Sequence, residues 1–310
     1  MALDTRQMRY FLEIAEQGSI TRAAQVLNVA QPALSLHLKT LEERLGTQLL
    51  IRSRSGVTPT EAGQVLMRRA RAILDDMART EDEIRTLDAD PAGVVRVGLP
   101  GTISALLTLP LIKAARARYP RITINIAEAM SGFIAGWMSE GQVDLAVLYN
   151  RSSAAGVMAR PLLEEELVVL WPANAKRPEV MALSELRDEP MVLPSAPHGL
   201  RQQLERDLGA LDIRPAIAME VDSYANIKAL VAAGYGASVL PRHAVQAEVA
   251  EGKLGISRLA APGLWRQAVM VTPTNRPVTR AQQAVQDVLS QVVADMLANG
   301  DWSGARAVSP

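Results

Sequence analysis

Residues 19–35 read Ser19-Ile20-Thr21-Arg22-Ala23-Ala24-Gln25-Val26-Leu27-Asn28-Val29-Ala30-Gln31-Pro32-Ala33-Leu34-Ser35. Ser19 is placed to cap a short helix over 20–27, since its hydroxyl can accept from an orphan amide of the first turn. The Ala23-Ala24 pair has little bulk, so a second helix can approach closely and cross steeply after a tight turn at Asn28-Val29-Ala30. That helix carries Leu34, Leu38, Leu41 and Leu45 on one face and stops at Gly46. Its polar N-terminal end then faces outward, the geometry that sets a recognition helix into a DNA major groove.

On the outward face stand Gln31, Pro32, Ser35, Leu36 and Lys39, with Thr21 and Arg22 opening the preceding helix. Gln can read adenine bidentately, Ser can bond a base or a phosphate, and Lys suits a phosphate. An exposed Leu36 can pack on a thymine methyl or simply face water. Each residue alone equally fits a solvated helix face; the set favours the groove. Upstream, Met8, Phe11, Leu12 and Ala15 mark another amphipathic helix that Gly18 ends. Downstream, 47–58 reads as a short wing, with Arg52, Arg54 and Thr58 as phosphate clamps.

From Thr60 a long helix is predicted to about residue 87, with Thr60 as its cap and Glu61 in its first turn. Leu66, Ala70, Ile73, Met77, Thr80, Ile84 and Leu87 alternate spacings of four and three, which is heptad spacing. Leu66, Ala70, Ile73, Met77 and Ile84 are therefore the predicted dimerisation seam. The same spacing also fits one amphipathic helix docked on its own domain. Asp88-Ala89-Asp90-Pro91-Ala92-Gly93 follows as a hinge.

Beyond it the pattern turns to strand–helix alternation. Strands are expected at 94–99, 122–127, 143–149, 167–171, 191–193, 217–221, 237–240 and 268–271. Helices are expected at 103–118, 131–140, 198–209, 224–233 and 278–297. This implies parallel sheets flanked by helices, in two lobes. The fold class is α+β overall, with a winged helix-turn-helix at 1–59, a linker and dimerisation helix at 60–90 and a two-lobed α/β domain at 91–310. Lobe I takes about 91–162 plus 265–310, and lobe II about 163–264.

Bulk composition narrows the alternatives. The 310 residues carry 33 basic and 33 acidic side chains, 48% hydrophobic content and no cysteine. Disulfides and thiolate chemistry are thereby excluded. Residues 1–58 hold seven basic against five acidic side chains, so the formal charge leans positive at the DNA-facing end. The uncharged stretch 97–112 is interrupted by Gly98, Pro100, Gly101 and Pro110, and Met1-Ala2-Leu3-Asp4 lacks the basic opening of a signal peptide. The reading is a cytoplasmic chain without a membrane span. The histidines, His37, His198 and His243, lie far apart, and no metalloprotease, nucleophile-elbow, Walker A or dinucleotide signature occurs. No catalytic residue, metal site or cofactor is predicted. A transport solute-binding protein would lack the helix-turn-helix, and a module with purely protein partners would fail to retard DNA.

The run from Met8-Arg9-Tyr10-Phe11 through Ser19 to Ala24, Gln31-Pro32-Ala33-Leu34-Ser35, Leu41-Glu42-Glu43-Arg44-Leu45-Gly46 and Thr58-Pro59-Thr60-Glu61-Ala62-Gly63 resembles the LysR-type DNA-binding domain. Leu109-Pro110, Arg118-Tyr119-Pro120, Gly141-Gln142-Val143-Asp144-Leu145-Ala146 and Val231-Ala232-Ala233-Gly234-Tyr235-Gly236 extend the resemblance to about residue 275. Pro197-His198-Gly199-Leu200-Arg201 is similar to the nitrogen-assimilation-control branch. Leu50 departs from the family's usual Phe, and Leu36 from a commonly polar position. The resemblance implies a tetrameric regulator that binds an interrupted inverted repeat in double-stranded DNA. It also implies a periplasmic-binding-protein-like domain sensing a small metabolite, and contact with RNA polymerase where the regulator activates.

In such α/β lobes ligands sit beyond the carboxyl ends of strands, against helix N-termini. The predicted strand ends lead to Gly101, Thr102 and Ser104, to Ser131, and to Tyr149-Asn150 in one lobe. In the other they lead to His198, Ser223 and Tyr224. Hydroxyls and helix amides there suit a carboxylate or another oxyanion; an effector-independent regulator is the alternative. Thr102, Ser104 and Ser131 equally fit helix caps, and His198 a structural role.

Overall fold

A computed structural model describes residues 3–53, 56–85, 90–149, 156–196 and 198–308. The chain divides into two compact units: Met1–Gly93 with Ser139–Gln142, and Val94–Met138 with Val143–Pro310.

In the first unit, α1 (Thr5–Gln17) is capped by Asp4, whose carboxylate accepts from the Gln7 amide at 2.8 Å. Next, α2 (Ile20–Val26) is capped by the Ser19 hydroxyl, and Asn28 takes the left-handed conformation, φ 53°, that turns the chain into α3 (Gln31–Leu45). The small Ala23 and Ala24 are buried where these helices meet, together with Phe11, Leu34 and Leu38. Two details differ from the sequence expectation. Ile14, not Ala15, is fully buried on α1, and Leu45 is 40% exposed in the last turn of α3.

The wing is the antiparallel pair β1 (Leu50–Ser53) and β2 (Gly56–Pro59). After it comes α4 (Glu61–Arg85), capped by Thr60, whose hydroxyl oxygen accepts from the Gly63 amide at 3.0 Å. Gly63 has no room for a side chain, because a Cβ there would lie 2.0 Å from the Leu49 carbonyl oxygen.

The heptad seam splits in two. Leu66 and Ala70 are buried in the head's own core, so they are not available to a second helix, contrary to the expectation of one continuous seam. Ile73, Met77 and Ile84 are 43%, 45% and 64% exposed. The first turns of α4 thus behave as a docked amphipathic helix. Among the described residues, Ile73, Met77 and Ile84 of the later turns form an exposed apolar stripe. Leu87 lies outside the described residues.

The second unit has two lobes with separate cores. Its elements in chain order are β3 (Gly93–Leu99), α5 (Gly101–Arg118), β4 (Ile122–Glu128), α6 (Ser131–Ser139), β5 (Leu145–Tyr149), β6 (Val157–Pro172), β7 (Val180–Met181) and β8 (Pro190–Leu193). They continue with α7 (Gly199–Gly209), β9 (Ala216–Glu220), α8 (Tyr224–Ala232), β10 (Ser238–Pro241), α9 (Gln246–Ala250), β11 (Leu254–Leu259), β12 (Leu264–Pro273), α10 (Arg280–Asn299) and β13 (Ala305–Arg306). One core gathers Leu99, Ile103, Leu107, Leu145, Val285 and Leu289. The other gathers Leu167, Val169, Leu193, Leu204, Ile227 and Val239. Each such fully buried aliphatic side chain contributes about 1.5–3 kcal/mol.

The sheets are mixed rather than parallel. A nine-stranded sheet runs β4-β3-β5-β12-β6-β11-β7, with β10 and β13 also on β6. Here β12 is antiparallel to β5 and β6, and β10 and β11 are antiparallel to β6; β8 and β9 form a separate parallel pair. The cause is the pair β6 and β12, which pass through both lobes in opposite directions and contribute to both cores. At the crossing, Glu164, Glu165 and Glu166 face Gln267, Arg266 and Trp265. Glu166 accepts from Arg258 at 2.6 Å and Arg242 at 3.1 Å, and Glu164 accepts from Arg306 at 2.8 Å.

Candidate DNA-binding surface and effector cleft

On the head, the first turns of α3 present Gln31, Pro32, Leu36 and Lys39 to solvent, with Ser35 half-buried beside them. The Gln31 amide donates to the Ser35 hydroxyl at 2.8 Å, so the two proposed base readers hold each other. Lys39 pairs loosely with Glu43 at 3.6 Å, both exposed, which leaves its charge usable by a phosphate. Thr21 is exposed on α2. Arg22 is exposed too, but its Nη2 donates to the Gln17 carbonyl at 2.6 Å and satisfies the end of α1. Any DNA contact by Arg22 competes with that bond. Arg52 and Thr58 are exposed on the wing strands; Arg54 lies outside the described residues.

In the sensor unit, a cavity of about 920 Å³ opens between the lobes. The first residues of α5, α6, α7 and α8, namely Gly101, Ser131, Gly199 and Tyr224, all line it. Of the predicted contacts, Gly101, Thr102, Ser131, His198, Ser223 and Tyr224 are brought together there. Ser104 is not. Two residues past Thr102 on a helix is a rotation of about 200°, and Ser104 is buried with its hydroxyl bonded to Thr108 at 3.2 Å. Asn150 lies outside the described residues.

The hydroxyls in the cleft are largely committed. Thr102 Oγ1 is 2.8 Å from the Tyr149 hydroxyl, so Thr102 orients Tyr149 instead of offering a free oxygen, and it does not cap α5. Ser223 caps α8, its oxygen accepting from the Asn226 amide at 3.4 Å. His198 caps α7: Nδ1 accepts from the Leu200 amide at 3.1 Å. Its neutral ring therefore carries the proton on Nε2, which lies 3.5 Å from the Tyr224 oxygen. With that oxygen accepting, the Tyr224 O–H is left to donate elsewhere.

Burial, with the Arg266 charge adding to it and Asp222 opposing, lowers His198 from 6.5 to about 4. Burial raises Tyr149 well above its ordinary value, helped by Glu165 and opposed by Arg266. Burial likewise raises Tyr224. All three are neutral near pH 7. Asp222 is held below its usual range, first by the Ser195 amide at 2.9 Å and then by its hydroxyl at 2.8 Å.

Sequence reading missed Arg266, Glu128, Asp222 and Lys228, all of which line the cavity. Arg266 is 2% exposed, with its guanidinium carbon 3.4 Å from the centre of the Tyr149 ring. A signal for it existed. Leu264, Arg266, Ala268 and Met270 alternate on one buried face of β12, so the arginine holds an inward position. Starting that strand at Ala268 hid it.

A winged helix-turn-helix joined through a long helix to a two-lobed domain with an interlobe cavity defines a DNA-binding regulator that carries a small-molecule sensor. Residues 5–64 match the bacterial regulatory helix-turn-helix of the lysR family, and residues 88–294 match the LysR substrate binding domain. The chain belongs to the LysR family of transcription regulators. It is 32% identical over 295 residues to the nitrogen assimilation regulatory protein nac of Escherichia coli K12, covering 94% of this chain and 96% of that one. This agrees with the branch suggested by residues 197–201. It is 28% identical to the regulator BbuR of Bordetella bronchiseptica, over 97% of this chain and 94% of that one.

Among solved structures, a full-length OxyR variant from Pseudomonas aeruginosa superposes with TM-score 0.72 at 25% identity, over 94% of this chain and 98% of that one. Full-length CbnR bound to its target DNA shares the fold with TM-score 0.69 at 22% identity, over 94% and 99%. These relatives are regulators, not enzymes. Among the described residues, no helix is long and apolar enough to cross a membrane.

Proposed function

We propose that this regulator binds its operator through α3 and the wing, and that a small anionic metabolite in the interlobe cavity adjusts that binding. Gln31 and Ser35 choose sequence, with Leu36 against a methyl group; Lys39, Arg52, Arg54 and Thr58 hold phosphates. The working unit is a dimer or tetramer in the cytoplasm, joined in part through Ile73, Met77 and Ile84. Where it activates, it meets RNA polymerase. One observation carries the ligand's charge: the N-termini of α5, α6, α7 and α8 border one cavity. Each offers orphan amides and the positive end of a helix dipole.

Thermal shift across a panel of small metabolites tests the reading, with Ala105→Trp as its partner, since Ala105 lines the cavity from α5. An anion should raise the melting temperature of the wild type and not of the filled variant. A panel without any such shift would return the protein to the effector-independent reading. Glu128 favours that second reading: its Oε1 lies 3.2 Å from the Cβ position of Gly101, so the chain already sets a carboxylate near the start of α5. In that case Glu128→Gln, and no added anion, alters operator affinity.

A further inference from the structure

Building on the cleft reading above, we propose that Arg266 recognises the carboxylate of a singly charged ligand with an apolar body. Arg266 borders the cavity while being 2% exposed, and among the described residues its Nε and Nη1 have no hydrogen-bond partner. Glu165 stands directly across from it in register. Yet Glu165 Oε1 accepts from the Trp302 indole at 3.0 Å and lies 3.3 Å from His243 Nδ1, and its Oε2 has no partner either. A guanidinium buried without a matching anion is unfavourable. The Tyr149 ring beneath it compensates only in part. A carboxylate supplies the planar pair of acceptors that a guanidinium binds bidentately. Nη2 is directed toward the start of α7, 3.8 Å from the Cβ position of Gly199, and the Tyr224 O–H completes the donor set.

The rest of the lining limits what the carboxylate is attached to. Lobe I contributes Ala105, Leu106, Met130 and Phe133, an apolar wall for an aliphatic or aryl body. Glu128 and Asp222 also line the cavity and are exposed, so further negative charges on the ligand would meet like charge. Lys228 does not offset them, because it pairs with Glu248 at 2.5 Å and donates to the Ala244 carbonyl at 3.0 Å. A compact oxyanion would fill little of about 920 Å³. The ligand class is a monocarboxylate with an apolar tail or ring.

Calorimetric titration of the full-length protein tests this with benzoate and hexanoate, their neutral amides, sulfate and citrate. The carboxylates should bind at least about tenfold more tightly than the amides, and more tightly than sulfate or citrate. Arg266→Met keeps the stem and removes the charge, and should erase that preference by about tenfold to a hundredfold. Arg266→Lys, a point charge without the fork, should fall between. Arg266→Met combined with Glu165→Gln avoids leaving Glu165 charged alone. Tyr224→Phe keeps the Arg266 charge but removes the cavity-lining hydroxyl that also bonds Arg266, and should weaken only the carboxylates.

Equal binding of carboxylate and amide overturns the ligand class. So does a wild type that binds neither benzoate nor hexanoate, or one that prefers citrate. Wild-type affinity in the Arg266→Met/Glu165→Gln protein, or in Tyr224→Phe should the double variant not fold, overturns the recognition role. A carboxylate that still binds Ala105→Trp overturns the cleft reading itself, which separates the two failures.

Discussion

In the head, Gln31, Leu36, Lys39 and Arg52 stand on the surface and come from one short stretch of chain. In the cleft, Tyr149, His198 and Arg266 are buried and come from β5, the cap of α7, and β12. The head's groups are held by near neighbours, as Gln31 is by Ser35 and Arg22 by Gln17. In the cleft, Thr102 and Arg266 are held by a partner far along the chain, Tyr149, while His198 and Ser223 cap their own helices. A surface built from local order can change its code one side chain at a time. A cleft that includes such long-range pairs ties Thr102, Tyr149 and Arg266 to the packing of strands and helices distant in sequence.

Unfolding the head alone separates the two regions most strongly. Gly63→Val drives a side chain into the Leu49 carbonyl and should cost the head about 3 kcal/mol or more. Operator retention in a gel shift should vanish while calorimetric binding at the cleft persists. Loss of both together would mean that the two units do not fold separately.

The difference between the regions also explains what could be read in advance. Ser19, Asn28, Gly46 and Thr60 are local punctuation, and each does in the fold what its type and position predict. Strand β6 is different. Its Glu164-Glu165-Glu166 run and Pro161 argue against a strand, and only pairing with β12, β10, β11 and β13 makes it one. The inward parity of Arg266 was legible only once β12 was seen to begin at Leu264. The seam on α4 misled for a related reason: periodicity places residues on a face but does not say what covers it. Leu66 and Ala70 are covered by the head.

That seam gives the next effect. Ile73→Asp with Ile84→Asp, both exposed, should yield monomers by light scattering with little change in melting temperature. Leu66→Ala should instead destabilise the head by about 2–5 kcal/mol and leave association intact in the folded fraction. The reverse pattern would restore the continuous seam.

A smaller effect separates readers from clamps within the head. Ser35→Ala removes one candidate base contact and releases Gln31, so discrimination among operator variants should change by about 1–3 kcal/mol. Arg52→Ala should weaken every sequence alike and lower the salt slope by about one. A uniform loss from Ser35→Ala would make it a phosphate contact.

The effect that is smallest at neutral pH lies at His198, because it appears only as the pH is lowered. Its pKa is about 4 in the fold against 6.5 ordinarily. As pH falls below about 6.5 the unfolded chain takes up a proton that the folded chain refuses, so stability declines down to about pH 4 and then levels off. His198→Asn keeps a capping oxygen and should flatten that part of the sensor's stability–pH curve. An unchanged slope would assign it to other groups.

In the proposed function the cleft governs the head. Fluorescence anisotropy on the chain's own upstream DNA, with and without saturating benzoate or hexanoate, measures it most directly. A coupling free energy of about 1–3 kcal/mol corresponds to a change in operator affinity of about 5- to 150-fold. A change in that range is expected for the wild type. For Ala105→Trp, intact DNA binding with no response is expected. Ligand that binds the cleft while operator affinity stays constant would contradict that coupling.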